Sequence, residues 1–524
     1  MTAQTPPTSP LRVGLWIDGE RATKHERALI DWAASCADIT LFVLSGARKR
    51  APRVAPTPAL FVALTTMESA KLRRNARYRD LQSTFALSAS ETPASAERVE
   101  ALVLDLVVYL GTEMPADDVA CASRLGLMTF GWAQADGSHA APVGFWEVFE
   151  RRATTTFTVR LVGGDPPAGR TLLEGSVPTR HYYLLNQAAL LDKANFYLLS
   201  VLRDVAQAGG PPATEFATTP DQPVAGRRPS SGEVLTYAWR SARATLSKKI
   251  DALSHREVHW QVSFAKTPWR SAKLSEGHLI DNPPGHYLAD PFVVQREGRD
   301  YCFVEDFDCA TQRGAIGVYE LEATSARRVG VAIDEPFHMS FPFLFEYEGA
   351  LFMCPETSEN RDIRVYRCID FPLKWQLERV VMTDVRAADT MLFERNGRWW
   401  MLTNLDPADT GELCSELYVF SAESPLSTEW IAHPSNPVVF DAGFARNGGL
   451  LRDGGSVFRV SQRQGFDRYG QGSQINEIVA LDDTRYQERS VLRIDPVFRP
   501  GLLGTHHLHS RNGVTVFDFA RMSA

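Results

Sequence analysis

The sequence lacks the signatures that would place it in several large classes of enzyme. It has no G-x-G-x-x-G, no G-x-x-x-x-G-K-[ST] and no G-x-S-x-G segment, which argues against dinucleotide-fingerprint, P-loop and α/β-hydrolase chemistry. It also lacks a surplus of positive charge, because 56 Lys and Arg stand against 63 Asp and Glu, for a net charge of -7. A nucleic-acid partner is therefore not expected.

Long hydrophobic runs and paired cysteines are also missing. No apolar run approaches the roughly 18 to 20 residues of a membrane span, and the first 20 residues lack a basic start followed by an apolar core. The seven cysteines show no C-x-x-C spacing, and their odd number fits reduced thiols. These features predict a cytoplasmic protein without a membrane span.

The chain of 524 residues is long enough for two or three domains, and its clearest division is a polar segment. Residues 208–232 are rich in Pro, Gly, Ser and Thr, a composition typical of a flexible linker. Before it, strand-like runs at 12–18, 39–44 and 102–111 alternate with helical spacing. This alternation predicts an α/β domain with a parallel sheet over 10–207.

Beyond the linker, residues 233–274 are expected to contribute a helix and a strand that lead into an all-β domain at 275–522. That domain contains a repeated hairpin whose turn ends in glycine. Five segments align on the glycine: DPFVVQREGRDYCFVE from residue 290, FPFLFEYEGALFMCPE from 341, DTMLFERNGRWWMLTN from 389, NGGLLRDGGSVFRVSQ from 447 and THHLHSRNGVTVFDFA from 505. Starts about 50 to 60 residues apart suit four-stranded blades, so the sequence predicts a five-bladed β-propeller.

The first and last positions of each segment lie at the same end of its hairpin, roughly opposite each other. The five pairs are Asp290/Glu305, Phe341/Glu356, Asp389/Asn404, Asn447/Gln462, and Thr505 with its neighbours His506 and His507. If each hairpin is the inner part of a blade, these ends converge on one mouth of the central channel. Several carboxylates in one place usually raise the pKa of at least one, which is typical of a functional site.

The repeats resemble two groups of known proteins. The pattern ADPFVV…G…YCFVE is similar to the five-bladed propellers of glycoside hydrolases that include arabinanases, β-xylosidases and invertases. The segments PFLFEYEGALFMCPETSENRDIRVYR, DTMLFERNGRWWML and GLLGTHHL are similar to the propeller that precedes the transferase domain of plant glucosamine inositolphosphorylceramide transferase. The resemblance covers about 275 to 520.

In the hydrolases, a first-blade Asp is base or nucleophile, a second Asp tunes pKa values and a Glu is the acid. The resemblance implies that Asp290 is the base or nucleophile and that Asp389 is the second Asp. The hydrolase acid lies on a later blade, where this chain has Asn447 and Gln462, so the repeat geometry leaves Glu356 as the candidate acid. This departure weakens the expectation of plain hydrolysis, and glycosyl transfer is an equal alternative.

The sequence predicts further substrate-binding side chains at the same mouth. They are Glu305, Arg361, Asn404, Asn447, Gln462, His506 and His507. His507 and His509 share one strand face and are a weak candidate for a metal site, since no carboxylate or thiolate ligand is near them in sequence. No cofactor is predicted, and the expected partner is a sugar or sugar phosphate, with a glycan or lipid-linked acceptor as a further option.

The first domain resembles the formyltransferase fold, from LRVGLWIDGERATKHERALIDW through DLVVYLG to GLMTFGWAQADGSHAAPVGFWEVFE. Together the resemblances imply a Rossmann-like formyltransferase-type domain followed by a propeller. The family's catalytic histidine is replaced by the segment Phe130–Ala133, and only His139 lies nearby. Two alternatives therefore stay open beside a carbohydrate-active enzyme: a non-catalytic glycan-binding module, and a formyl or acyl transferase with a folate cofactor acting on an amino sugar.

Overall fold

The computed structural model describes residues 9–46, 58–80, 83–87, 94–111, 117–132, 141–163, 169–211, 225–254 and 257–523. The chain divides into two compact units, a first unit over 1–245 and a second unit over 246–524. Within the described ranges, no helix combines the length and the apolar character needed to cross a membrane. Most of the predicted linker, residues 212–224, lies outside the described residues.

The first unit is a mixed α/β structure. Its strands are β1 (Leu11–Asp18), β2 (Arg21–Thr23), β3 (Ile39–Gly46), β4 (Thr84–Ala86), β5 (Leu106–Tyr109), β6 (Leu127–Trp132), β7 (Thr154–Val162) and β8 (Arg170–Pro178). Its helices are α1 (Lys24–Ala33), α2 (Ala59–Leu72), α3 (Ala96–Ala101), α4 (Asp117–Cys121), α5 (Phe145–Glu150), α6 (Tyr183–Ala208) and α7 (Ser231–Leu253), and the last of these continues past residue 245.

The main sheet of the first unit has the strand order β3-β1-β5-β6-β7-β8. The first four strands are parallel and the last two are antiparallel. Fully buried runs such as Leu106–Tyr109 form the centre, as expected of strands covered on both faces. The predicted parallel α/β sheet is confirmed for β1, β3, β5 and β6, whereas kinship to formyltransferases stays a prediction. Ala133 and His139, which bear on it, lie outside the described residues.

The second unit consists almost entirely of strands after α7. They are β9 (Val258–Ala265), β10 (His278–Ile280), β11 (His286–Arg296), β12 (Arg299–Asp308), β13 (Arg313–Leu321), β14 (Ala326–Ile333), β15 (Ser340–Tyr347), β16 (Ala350–Glu356), β17 (Asp362–Asp370), β18 (Lys374–Thr383), β19 (Ala387–Arg395), β20 (Arg398–Leu405), β21 (Glu416–Ala422), β22 (Ile431–Ala432), β23 (Val439–Phe440), β24 (Asn447–Asp453), β25 (Ser456–Gly465), β26 (Arg468–Leu481), β27 (Tyr486–Ile494), β28 (Leu502–Gly504), β29 (Leu508–Arg511) and β30 (Val514–Met522). Short 3-10 helices occur at Leu274–Glu276 and Ser358–Asn360.

These strands form five antiparallel sheets. Four follow the chain as β11–β14, β15–β18, β19–β22 with β23, and β24–β27, and the fifth combines β9 and β10 with β28, β29 and β30. The inner strands β11, β15, β19, β24 and β29 contact one another in sequence, and β29 also contacts β11, which closes the ring. The predicted five-bladed β-propeller is confirmed.

The repeated glycine marks the same turn in every blade. The two turn residues both have positive φ in all five hairpins, for example Glu297 at 51° with Gly298 at 74° and Asn512 at 51° with Gly513 at 79°. Two successive positive φ angles define the type I′ turn, which matches the twist of the paired strands and favours Asn-Gly or X-Gly. The alignment on this glycine therefore locates each hairpin correctly.

The fifth blade corrects one predicted boundary. From the sequence alone, residues 258–265 are expected to lie ahead of a propeller that starts at 275. In the structure, β9 pairs antiparallel with β30 over eight residues, from Val258 opposite Met522 to Ala265 opposite Thr515. A strand from before the first blade thus completes the last blade, which joins the two ends of the ring by main-chain hydrogen bonds.

Candidate active site

A repeated backbone irregularity aims side chains at one mouth of the channel. In the first three blades a β-bulge places two inner-strand residues opposite one partner residue, after Ala289, Ser340 and Ala388. The first bulged residue has positive φ each time: 50° at Asp290, 46° at Phe341 and 49° at Asp389. This conformation is uncommon for residues other than glycine, and bulges often redirect a side chain beside an active site.

The bulge also shifts the predicted pairing by one residue. Glu305 pairs with Ala289 rather than with Asp290, and Asn404 pairs with Ala388 rather than with Asp389. The ends of each hairpin nevertheless remain adjacent. The resulting group of carboxylates, called here the acid cluster, comprises Asp290, Glu305, Glu356, Asp389 and Asp518.

Asp290 is buried beside two histidines. Its carboxylate oxygen Oδ1 lies 3.5 Å from His506 Nε2 and 3.5 Å from His507 Nδ1. Burial alone would raise the pKa of Asp290, but His507, His506 and Arg446 outweigh it, so that the pKa falls below its ordinary value. Asp290 is therefore suited to stay ionised inside the mouth.

Glu305, on the neighbouring strand, has the opposite environment. Burial raises its pKa well above the ordinary value, and the negative charges of Asp290, Glu356, Asp518 and Asp389 raise it further. Among the described residues, the side chain that could offer Glu305 a positive charge is His338, whose Nε2 lies 3.6 Å from Glu305 Oε1. Burial lowers the pKa of that imidazole, and its Nδ1 accepts the Gly314 N–H at 2.9 Å. The surroundings of Glu305 thus favour its protonated form.

Arg446 joins two carboxylates from different blades. Its Nε donates to Asp389 Oδ2 at 2.7 Å, and its Nη2 donates to Glu356 Oε2 at 3.2 Å. Its guanidinium also lies over the Tyr469 ring, 5.3 Å from the centroid. Buried carboxylates next to each other require such a cation, because desolvation of both charges is otherwise expensive.

Three predicted site residues with amide side chains form hydrogen bonds around Asp389, the partner of this arginine. Asn404 Oδ1 accepts the Asn447 N–H at 2.9 Å, and Asn447 Nδ2 donates to the Asp389 carbonyl at 2.8 Å. Gln462 Nε2 donates to Asp389 Oδ2 at 2.9 Å. All three amides are fully buried. These hydrogen bonds hold Asp389 in place, and direct contact of the three amides with substrate stays a prediction.

The two histidines of the fifth blade have different surroundings. The His506 ring stacks on Trp260, with centroids 3.9 Å apart, and its Nδ1 lies 2.8 Å from Asp518 Oδ2. Burial lowers the pKa of His506, but Asp518 and the other acids raise it above its ordinary value overall. His507 is fully buried between the rings of Phe292 and Phe341, with centroids 4.6 Å and 5.2 Å away.

Two of the predicted residues lie away from this network. Arg361 is 42% exposed and pairs with Asp384 at 3.2 Å and Asp409 at 3.4 Å. His509 accepts the Val293 N–H on its Nδ1 at 3.1 Å, and burial lowers its pKa to about 3. The structure therefore gives Arg361 acidic surface partners instead of a place in the acid cluster.

Sequence reasoning missed two central members, although the repeat contained a signal for each. Arg446 occupies the position just before the fourth segment, where the other four copies have Ala289, Ser340, Ala388 and Gly504. Asp518 occupies a position that is filled by Phe, Cys, Leu and Val in the other copies. A charged residue at a repeat position that is otherwise small or apolar will be buried, and a buried charge needs a partner of opposite charge or a hydrogen bond.

The Asp518 carboxylate binds backbone N–H groups of two neighbouring blades at the channel mouth through its two oxygens. Oδ1 accepts the N–H groups of His506 and His507, both at 3.0 Å, and Oδ2 accepts the Asp290 N–H at 3.2 Å. Asp290, His506 and Asp518 also place one ligand atom each within 4.8 Å of one another, so they could hold a metal ion. The sequence predicts no metal, and the weak candidate pair that it offers is a different one, His507 with His509.

The chain is similar to known proteins over its propeller. Residues 272–496 match the family model described as glucosamine inositolphosphorylceramide transferase 1, N-terminal. The proteins of that name are 33% identical over 214 residues in Arabidopsis thaliana and over 283 residues in Oryza sativa subsp. japonica. These alignments cover 40% and 48% of this chain, but only 28% and 38% of the plant proteins.

Solved structures with similar strand arrangements include a family 117 glycoside hydrolase from Zobellia galactanivorans. It is 11% identical, with a TM-score of 0.33, and the alignment covers 50% of this chain and 90% of that one. An α-L-arabinofuranosidase from Lactobacillus brevis is 16% identical, with a TM-score of 0.31 and coverage of 44% and 80%. The strand pairing of the second unit itself supports the five-bladed assignment.

Proposed function

We propose that the acid cluster is the active site of a carbohydrate-active enzyme that makes or breaks a glycosidic bond. One observation carries the proposal: Asp290 and Glu305 come from adjacent strands, yet Asp290 lies against two imidazoles while Glu305 is surrounded by carboxylates. Glycosidic chemistry needs two carboxyl groups, one ionised and one protonated. The arrangement supports Asp290 as the ionised group and Glu305 as the protonated one.

The two groups would act in sequence. Glu305 gives its proton to the leaving oxygen as the bond between that oxygen and the anomeric carbon breaks. Asp290 either attacks the anomeric carbon, forming a glycosyl ester, or takes the proton from the attacking hydroxyl group of water or a sugar acceptor. In the first case Glu305 is left ionised and Asp290 esterified, and the water or acceptor hydroxyl that then displaces Asp290 gives its proton to Glu305. In the second case the two carboxyl groups exchange protonation states, and solvent restores them.

This assignment differs from the sequence-based one, in which Glu356 supplies the proton. Glu356 accepts a hydrogen bond from Arg446, which also binds Asp389. We assign Glu356 and Asp389, together with Arg446, the role of a hydrogen-bonded charge group beside Glu305. Burial raises the pKa of Asp389 well above its ordinary value, although Arg446 opposes this shift. The charge of the group raises the pKa of Glu305 and helps to orient the sugar.

The donor sugar that we favour is an amino sugar. The plant relatives carry the name glucosamine inositolphosphorylceramide transferase 1, and several carboxylates close together favour a ligand that carries an ammonium group. Trp260 and Tyr469, whose rings contact the His506 ring with centroids 3.9 Å and 5.4 Å away, offer apolar faces of the kind that pack on sugar rings.

A glycan-binding module without catalysis is the second candidate. The observation in its favour is that Asp389, Asn404, Asn447 and Gln462 are all buried and bond to one another. Such a network can stabilise a channel mouth without any reaction taking place. Measurements of turnover and of binding separate the two candidates.

The test compares amide variants on 4-nitrophenyl glycosides of glucosamine, glucose, xylose and arabinofuranose, with and without a sugar acceptor. We expect Asp290→Asn and Glu305→Gln to lower kcat by at least about 100-fold, the usual contribution of a general acid or base. Asp300→Asn is the matched control, because Asp300 lies on the same strand as Glu305 but pairs with Lys266 at 2.6 Å.

The outcomes distinguish the assignments. If Glu356→Gln abolishes turnover while Glu305→Gln keeps it, the acid is Glu356, as the sequence alone suggests. Unchanged turnover in Asp290→Asn would refute the proposed chemistry. If the wild-type chain turns over none of these glycosides but binds one of the parent sugars by calorimetry, the binding-module function replaces the enzyme.

A further inference from the structure

Helix α7 carries an apolar stripe that faces solvent. Its members, each between 55% and 83% exposed, are Leu235, Trp239, Leu246, Ile250 and Leu253. At about 100° per residue, these positions fall within an arc of about 60° and extend over about 27 Å of helix. Single exposed apolar residues are ordinary, but a continuous row on one helix face indicates an interaction surface.

The opposite side of the helix accounts for its attachment to the first unit. Val234 and Tyr237 are buried, and the Tyr237 hydroxyl group donates a hydrogen bond to Glu68. Tyr182 and Thr245 share a hydrogen bond of 2.8 Å between their hydroxyl groups. Since the fold already uses this side, the stripe is free to contact something else.

The charges along the middle of the helix have one sign, and its two acids, Glu233 and Asp251, lie outside this part. From Leu235 to Ile250 the sequence contains four basic residues and no acidic one. Arg240 donates to the Phe149 carbonyl, and Lys248 pairs with Asp467. The other two, Arg243 and Lys249, are exposed and flank the stripe on either side, with the Arg243 guanidinium 5.5 Å from the Trp239 ring centroid.

We propose that α7 binds the surface of an anionic lipid bilayer, with its apolar stripe in the interfacial region and Arg243 and Lys249 at the headgroups. An amphipathic helix with a basic rim and a tryptophan on its apolar face fits that environment. Anionic lipids attract each nearby basic residue.

The charge pattern disfavours a second copy of the chain as the occupant. Two copies that paired through this stripe would bring the same basic rims together, whereas helices that associate in water usually carry complementary charges beside the apolar seam. The α7 segment from 235 to 250 supplies no carboxylate to meet Arg243 or Lys249. A phosphate-bearing surface supplies the missing negative charge.

The test is co-sedimentation of the full chain with vesicles of phosphatidylcholine alone or mixed with phosphatidylglycerol. We expect binding to the mixed vesicles, weakening as salt rises, and little binding to the neutral ones. The double variant Leu246→Gln/Ile250→Gln should bind at least tenfold more weakly, because glutamine keeps helix propensity while removing apolar surface.

A matched control removes two exposed isoleucines of the propeller, Ile369→Gln/Ile431→Gln, whose side chains are 58% and 62% exposed. This control should bind vesicles like the wild type. A wild-type chain that stays in the supernatant with mixed vesicles would overturn the proposal. Equal loss of vesicle binding in both double variants would also overturn it. The same holds if light scattering shows a dimer that only the α7 double variant dissociates, while vesicle binding stays unchanged.

Discussion

The two units bury acidic side chains in different ways. In the first unit, Glu26 caps its own helix, Glu68 accepts hydrogen bonds from the Leu184 N–H and the Tyr237 hydroxyl group, and Glu147 is buried on a short helix of its own. In the second unit, acids from four different blades meet in one place, with Arg446 and His506 between them. Burial of a single acid serves the fold around it, whereas convergence of acids from distant segments costs stability and points to function.

The largest expected effect follows from removing the cation that separates the acids. Arg446→Met would leave the buried Asp389 and the partly buried Glu356 without their shared partner, which typically costs about 3 to 5 kcal/mol. Urea unfolding followed by tryptophan fluorescence would measure this loss.

Two comparisons sharpen that measurement. Arg489→Met removes a 70% exposed arginine paired with Glu477 and should cost less than about 1 kcal/mol. The double variant Arg446→Met/Asp389→Asn should recover part of the loss by removing one uncompensated charge. If the Arg446 variant is as stable as the Arg489 variant, the acid cluster does not depend on its arginine.

The second prediction concerns an acid of the first unit. Burial raises the pKa of Glu147 from 4.5 to about 7. Below pH 4.5 both the folded and unfolded states hold the proton, so Glu147 costs nothing. As the pH rises, the unfolded state ionises first, and folding becomes less favourable until the folded group also ionises near pH 7. The total loss is about 3 kcal/mol.

Glu147→Gln should therefore stabilise the first unit at pH 8 and remove most of its loss of stability between pH 4.5 and 7. Thermal unfolding across this pH range would measure the difference. Glu150→Gln on the same helix is the matched control, because Glu150 is exposed. A variant at residue 147 that keeps the wild-type pH dependence would contradict the assignment of that dependence to Glu147.

Features that depend on neighbouring residues could be predicted from the sequence. The X-Gly turns identified every hairpin, because two successive positive φ angles demand particular residues such as Asn396 and Gly397. The positions of Asp290 and Asp389 followed from the repeat. Their side-chain direction did not, since it depends on a bulge that no residue type specifies by itself.

Long-range partners were harder to predict. The pairing of β9 with β30 joins residues more than 250 positions apart and leaves no periodic signal. In the sequence, Arg446 and Asp518 appear only as departures from the repeat. Which side chains they contact depends on how the blades are arranged around the ring. The pKa difference between Asp290 and Glu305 likewise arises from neighbours on other blades.

The smallest predicted effect tests the local use of acids in the first unit. At the start of α1, Thr23 accepts the Glu26 N–H through its hydroxyl group, and the Glu26 carboxylate accepts the Thr23 N–H at 2.7 Å. Thr23→Ala should cost about 1 kcal/mol, the usual value of a capping side chain, whereas Thr23→Ser should keep most of it. Thr65→Ala in α2 should be near neutral, because the Thr65 hydroxyl group donates only to the Val62 carbonyl of its own helix. Equal losses from the Ala and Ser variants would show that the threonine acts through its methyl group, and Glu26 would then be a buried acid without a reciprocal cap.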